Sequence, residues 1–194
     1  MDEPWLVAGL GNPGERYART RHNLGWMVLD VLCSRAGVRL RKQRFVGVEA
    51  AEATLEGVRL LLVRTASSYM NESGPSIASF ARKRDVPAER VIAVHDELDL
   101  PFGALRLKVG GSTAGHRGVD SLATALRTKD FYRVRIGIGR PPGRQDPADF
   151  VLEPFGARER EDAAVLIQDA ADAAVALAAD GLEAAQARFN RSGG

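Results

Sequence analysis

Apolar positions along the 194 residues follow two alternating rhythms, and these predict the elements. Trp5 to Leu10 is a chargeless apolar run that stops at Gly11-Asn12-Pro13-Gly14, a buried strand followed by a turn of fixed shape. From His22 to Ala36, Leu24, Val28, Val31 and Leu32 recur at helical spacing, with Gly37 as C-cap and Asn23 as a candidate N-cap. Residues 45–55 and 58–64 read as a hairpin turning at Glu56-Gly57. A polar loop, Thr65 to Asn71, leads through Pro75 into a helix with Ile77, Phe80 and Ala81 on one face, ending near Arg84. Val91 to Val94 is a short continuous apolar run, as in a central strand covered on both faces, and it ends in His95-Asp96-Glu97-Leu98-Asp99. A short strand is expected at Leu105–Val109. The flexible stretch Gly110 to Gly118 then opens a helix whose face is Val119, Leu122, Ala123 and Leu126. Tyr132 to Ile138 alternates strictly, with Val134, Ile136 and Ile138 on one face and Arg133 and Arg135 on the other. After a Pro/Gly-rich loop from Arg140 to Asp146, an Ala-rich helix from about 157 to 179 and a shorter one to about Phe189 close the chain. Strands and helices in alternation predict an α/β sandwich in a single domain covering 1–194, with the C-terminal helices trailing from about 157.

Composition narrows the setting. Apolar content of 45% and charged content of 27% are those of an ordinary globular protein, and no apolar run approaches the roughly 20 residues of a membrane helix. The acidic start, Met1-Asp2-Glu3-Pro4, has no apolar core of a secretory leader. The single cysteine, Cys33, cannot form an internal disulfide and lies in a helical pattern. It reads as a small core residue in a reducing, cytoplasmic setting, and no cysteine cluster supports structural zinc. The net charge of +2 conceals an asymmetry. Residues 101–144 carry nine Lys/Arg against two Asp, whereas residues 145–194 carry ten acids against four bases. A basic segment beside an acidic tail suggests a surface for a polyanion, the alternative being a solvated basic face.

Polar groups collect in the loops after strands. Asn12 and His22 follow the first strand, Asn71 follows Met70, Asp96 follows the central strand, and His116 lies in the glycine-rich segment. Open α/β sheets keep their sites at such strand ends, so these groups converge if the strands share one edge. A histidine beside a carboxylate is the simplest general base. The carboxylate fixes the tautomer and stabilises the imidazolium while the free nitrogen takes a proton from water. No Ser or Cys sits in a nucleophile elbow, which favours direct attack by water over a covalent intermediate. Each residue also has a plainer reading: His22 as a helix-start residue, Asp96 as a turn or cap residue, the asparagines as structural amides. His95 is expected to point to the other face of its strand. His22, Asp96 and His116 could in principle hold a metal, but no spacing is diagnostic. Neither G-x-G-x-x-G at the first strand nor G-K-[ST] is present, which disfavours nucleotide binding.

Five blocks occur in order: G-L-G-N-P-G…Y…T-R-H-N, S-Y-M-N-E-S-G, H-D-E-L-D-L-P-F-G, K-V-G-G-S-T-A-G-H-R-G and F-Y-R-V-R-I-G-I-G-R-P. Together, from about Leu6 to Phe155, they closely resemble the bacterial-type peptidyl-tRNA hydrolase family. The resemblance implies a mixed twisted sheet flanked by helices, a monomer, and cleavage of the ester between a peptide and the 3′-terminal ribose of tRNA, with no cofactor or metal. It matches His22 to the family's base and Asp96 to its orienting carboxylate. Asn12 and Asn71 match the amides that hold peptide backbone and water. Tyr17 matches a tyrosine near the tRNA 3′ end, Tyr69 and Met70 match residues lining the peptide channel, and His116 matches the histidine of the mobile glycine loop. Arg106, Lys108, Arg135 and Arg144 lie where the family clamps tRNA phosphates. The pattern breaks at Arg117, where most members carry an asparagine. Arginine cannot accept a hydrogen bond, so a water-placing role passes elsewhere and a phosphate-gripping role becomes available. Ser112-Thr113 also replace a more glycine-rich run. A catalytically silent RNA-binding relative is the main alternative, and an RNA-only role needs none of His22, Asp96, Asn12 or Asn71.

Overall fold

In the computed structural model, which describes residues 3–193, the chain runs β1 (Trp5–Gly9), α1 (Leu24–Ala36), β2 (Arg41–Lys42), β3 (Val48–Leu55), β4 (Val58–Thr65) and α2 (Ser73–Lys83). It continues through β5 (Val91–Glu97), β6 (Leu105–Val109), α3 (Arg117–Leu126), β7 (Tyr132–Gly137), α4 (Pro147–Phe150), α5 (Arg160–Asp180) and α6 (Leu182–Phe189). Met1 and Asp2, on which the leader argument partly rests, lie outside the described residues. The seven strands form one mixed sheet in the order β2-β3-β4-β1-β5-β7-β6. β4, β1, β5 and β7 are mutually parallel, while the β3–β4 and β6–β7 pairs are antiparallel.

Period-two alternation divides the core between the two sheet faces. Val7, Ile92, Val94, Val134 and Ile136 pack with α1, α5 and α6, whereas Leu6, Ala8, Val91, Ala93 and Phe131 pack with α2 and α3. The result is an α/β sandwich with helices on both faces, as expected from the alternation. Cys33 is a buried core residue of α1. No described helix is long and apolar enough to cross a membrane.

Several local expectations are corrected. The central strand extends past Val94 through His95, Asp96 and Glu97, because its parallel ladder with β7 continues to the Glu97–Gly137 pair. The expected 45–55 strand begins only at Val48, since Phe45 and Gly47 take positive φ in a turn that joins it to the short edge strand β2. The Pro/Gly-rich loop is followed by a one-turn helix, α4. Asp146 caps it by accepting from the Ala148 N–H at 2.9 Å, and Pro147 takes the first helical position. Arg133 shares a face with Arg135 as the alternation requires, yet it is fully buried rather than solvated.

One close approach fixes where the site can form. Gly25, in the first turn of α1, lies so near the ends of β1 and β5 that a Cβ there would come within 2.3 Å of the Val94 carbonyl and 2.5 Å of the Leu10 nitrogen. All these obstacles are backbone, so α1 can descend onto the strand ends only with glycine at this position. The Gly25→Ala variant is therefore expected to lose about 1–3 kcal/mol or more of stability. Urea unfolding checks this, and an unchanged midpoint would contradict the packing described.

Candidate active site

Two loops at the carboxyl ends of β1 and β4 are tied together by asparagine amides. The Asn12 backbone N–H donates to Asn23 Oδ1 at 2.9 Å, and Asn23 Nδ2 donates back to the Asn12 carbonyl at 2.9 Å. Asn12 Oδ1 accepts from the Met70 N–H at 2.7 Å. Asn23 thus does not cap α1 with its side chain. It is fully buried and spends that side chain on the β1 turn. With its oxygen committed to Met70, the Asn12 side chain faces the cleft as a donor through Nδ2.

His22 lies in a single 3₁₀ turn, Arg21–Asn23, just before α1. Its backbone N–H donates to the Val151 carbonyl at 2.8 Å, and that of Arg21 to the Glu153 carbonyl at 3.0 Å. The Arg21 guanidinium stacks on Phe150, 4.0 Å from the ring centre, and pairs with Glu159 at 3.1 Å. The segment bearing His22 is in this way fastened to residues 150–159. His22 Nδ1 stands 2.9 and 3.0 Å from the two oxygens of Asp96, whose side chain is 1% exposed.

Asp96 serves a second imidazole as well. His116 Nε2 lies 2.9 Å from Asp96 Oδ1, while His116 Nδ1 accepts the N–H groups of Gly118 and Val119, capping α3. This network assigns the protons. His116 carries its hydrogen on Nε2 and donates it to Asp96, and His22 donates from Nδ1, leaving Nε2 of His22 free. Burial alone would raise the Asp96 pKa, but the two histidines outweigh it and hold the carboxyl well below its usual range. For His22, burial pulls the pKa down. The Asp96 charge and hydrogen bond overcome this and leave it raised, with the Arg117 charge acting the opposite way. His95 is on the adjacent strand position, buried, with Nδ1 2.7 Å from the Asp96 carbonyl and its ring 4.7 Å from that of His116. Burial and His116 push its pKa far down, so it is neutral.

These groups border a cleft of about 510 Å³. Its walls are formed by Asn12, Tyr69, Met70 and Asn71, by the 114–117 segment, and by Asp146, Pro147, Ala148, Val151 and Leu152. A sequence profile described as peptidyl-tRNA hydrolase matches residues 6–193.

The chain belongs to the peptidyl-tRNA hydrolase family.

It is 56% identical to the peptidyl-tRNA hydrolase of Nocardia farcinica over 183 residues, 94% of either chain. It is 51% identical to that of Mycolicibacterium smegmatis over 96% of this chain and 97% of the relative. The crystal structure of the peptidyl-tRNA hydrolase from Acinetobacter baumannii superposes with a TM-score of 0.90 at 30% identity, covering 100% of this chain and 97% of that one.

Of the residues matched to the peptidyl-tRNA hydrolase pattern, His22, Asp96, Asn12, Tyr69, Met70, Asn71, His116 and Arg117 border this cleft. Tyr17 stands outside its lining and meets Tyr69 edge-on, 6.2 Å between ring centres. The four expected phosphate-binding residues lie apart from it. Arg106 is directly across from Arg135 in the β6–β7 ladder, and Lys108 from Arg133, so like charges face each other on one side of the sheet. Arg135 is paired with buried Glu97 at 3.1 Å, and Arg144 is exposed in the loop before α4. The sequence marks neither Glu97, nor Asn23 beyond its reading as a cap, nor the 146–152 wall as part of the site. Only the wall carries a signal, the Asp146-Pro147 helix start.

The His22 geometry sets a pH dependence. A general base at His22 would act only when neutral, and with its raised pKa kcat/KM would fall as pH drops through a midpoint above the ordinary 6.5 of histidine. Since the Arg117 charge lowers that pKa, Arg117→Asn is expected to move the acid limb to higher pH. A pH–rate profile of the two proteins checks this, and a limb that shifts downward would contradict the electrostatics.

Proposed function

We propose that this chain releases the peptide from peptidyl-tRNA by general-base hydrolysis with His22 as the base. The observation that carries the reading is the engagement of His22 Nδ1 by buried Asp96, which leaves Nε2 to the cleft. A water there gives its proton to Nε2 as its oxygen adds to the ester carbonyl. The imidazolium so formed is stabilised by Asp96. When the tetrahedral intermediate collapses, the ribose oxygen leaves with the proton returned from His22, and the peptide leaves as its carboxylic acid. Asn12, donating through Nδ2, and Asn71 at the rim supply amides for the peptide backbone and the water. His116 acts through Asp96 and is a positioning residue.

This reading is metal-independent. The ligand atoms of His22, Asp96 and His116 lie within 4.8 Å of one another, close enough to share an ion. To bind one, however, His116 Nε2 must shed its hydrogen, and the vacated tautomer would set an Nδ1–H against the N–H groups of Gly118 and Val119. That conflict disfavours a metal on physical grounds. The acceptor arm of tRNA is read by Arg106, Lys108, Arg135 and Arg144; the crowding of the first three on one face of β6 and β7 fits an anion that relieves like-charge repulsion. Arg117, exposed at the first position of α3, grips a phosphate near the 3′ end. The chain acts as a single domain and monomer in the cytoplasm. Of the exposed large apolar side chains among the described residues, Tyr69 and Leu152 border the cleft, while Phe45, Val109 and Val165 stand on separate elements.

Two measurements test the reading. His22→Asn is expected to reduce peptide release by about 10²–10⁴-fold or more while tRNA binding and the unfolding midpoint persist. Near wild-type release would remove His22 from the chemistry. Arg135→Ala with Arg144→Ala is expected to weaken tRNA binding and to flatten the slope of log K against log salt by about 0.7–0.9 for each phosphate no longer neutralised. An unchanged slope would locate the RNA-binding face elsewhere, first at Arg39 to Arg44.

A further inference from the structure

Arg133 is the largest fully buried side chain among the described residues, and none of their carboxylates is bonded to it. Its guanidinium lies over the Phe131 ring, 4.9 Å from the centre, and its two terminal nitrogens donate to backbone carbonyls while buried Nε has no partner. Nη1 donates to Ser112 at 2.7 Å, and Nη2 reaches Gly111 and Lys129 at 3.4 Å. Lys108 Nζ donates to the same Ser112 carbonyl at 2.9 Å, so both lone pairs of that oxygen are taken by cations. Burying a charge without a partner carboxylate is costly, and an apolar residue would fill the space more cheaply if packing were its only purpose.

The segment so held has little else to fix it. Gly110, Gly111, Ala114 and Gly115 all have positive φ, which for Ala114 is a strained backbone, and Gly111, Ser112, Ala114 and Gly115 are exposed. Its own bonds are few: Gly110 N–H to the Phe131 carbonyl, Ala114 N–H to Ser112 Oγ and His116 N–H to the Thr113 carbonyl. The loop is therefore anchored at its start by Arg133 and Lys108 and at its end by His116 on Asp96.

We propose that Arg133 is a positioning residue of the hydrolase: by gripping the carbonyls of Gly111 and Ser112 it sets the loop that delivers His116 to Asp96. Lys108, through the shared Ser112 carbonyl, joins that loop to the basic face of β6 and β7. The inference rests on the hydrolase reading above. Its consequence is electrostatic. If the start of the loop slackens, His116 withdraws its hydrogen bond from Asp96, and the carboxylate charge is then shared with His22 alone. The groups facing His22 are Asp96 from β5, His116 at the N-cap of α3 and Arg117 in its first turn, so losing the His116 bond strengthens the hold of Asp96 on the His22 proton.

The test uses a short ester-linked 3′-terminal fragment, too small to reach the basic face. Arg133→Lys is expected to lower kcat/KM by roughly 10- to 100-fold and to move the acid limb of the pH profile to higher pH. Lys108→Met, a change at a half-exposed side chain, is expected to move the limb the same way by less. In a His116→Ala background neither change moves the limb further. A limb that stays at its wild-type position in both variants overturns the inference, because a purely structural loss reduces the amount of active enzyme without altering the titration. If Arg133→Lys does not fold, Lys108→Met decides alone. Failure of the wild-type enzyme to release peptide would instead refute the hydrolase reading.

Discussion

A single buried carboxylate that must satisfy two imidazoles constrains this whole structure. Asp96 is cut off from solvent, and a bare charge there would cost several kcal/mol. It is held ionised only because His22 and His116 converge on it from different elements. That convergence requires β5 to run three residues beyond its apolar stretch, α1 to begin almost in contact with the strand ends, and α3 to start where the glycine segment ends. The two histidines are not equivalent. The N-terminus of α3 occupies Nδ1 of His116 and so fixes it as a donor, whereas no group among the described residues is bonded to Nε2 of His22, a residue that lines the cleft.

Around that centre the polar bonds serve geometry more than stability. The exchange between Asn12 and Asn23, continued to Met70, holds the first two loops at a fixed separation. Arg21 and the backbone N–H groups of residues 21 and 22 hold the far wall. The asparagine amides and these backbone N–H groups are buried polar groups with partners supplied, and removing one partner leaves the other unsatisfied. The like-charged pairs across β6 and β7 are the opposite case, an arrangement that costs free energy in the unliganded protein. Under the proposed function the cost is offset when RNA phosphate arrives.

Much of this is legible in the sequence. Local periodicity locates both sheet faces, the Glu56-Gly57 hairpin and the helices other than α4. The ordered motifs bring His22, Asp96, Asn12 and Asn71 into one frame. What periodicity does not convey is the environment created by pairing. His95, Asp96 and Glu97 look like a loop because they are polar, yet β7 supplies a partner for each. Arg133 looks solvated because it alternates with Arg135, yet the glycine segment folds over it. Asn23 looks like a helix cap, but its partner is eleven residues upstream. In each instance the deciding interaction is made by a residue remote in sequence or by the backbone, which no side-chain pattern reports.

The central claim is that Asp96 holds His22 as the Nδ1–H tautomer with Nε2 unprotonated. Nitrogen-15 NMR of the three imidazoles, above the pH at which His22 titrates, measures this directly. The account predicts a proton on Nδ1 of His22 and on Nε2 of His116, with the His22 pattern lost in Asp96→Asn. A wild-type His22 that carries its proton on Nε2 would contradict it, because the nitrogen facing the cleft could then not accept a proton from water.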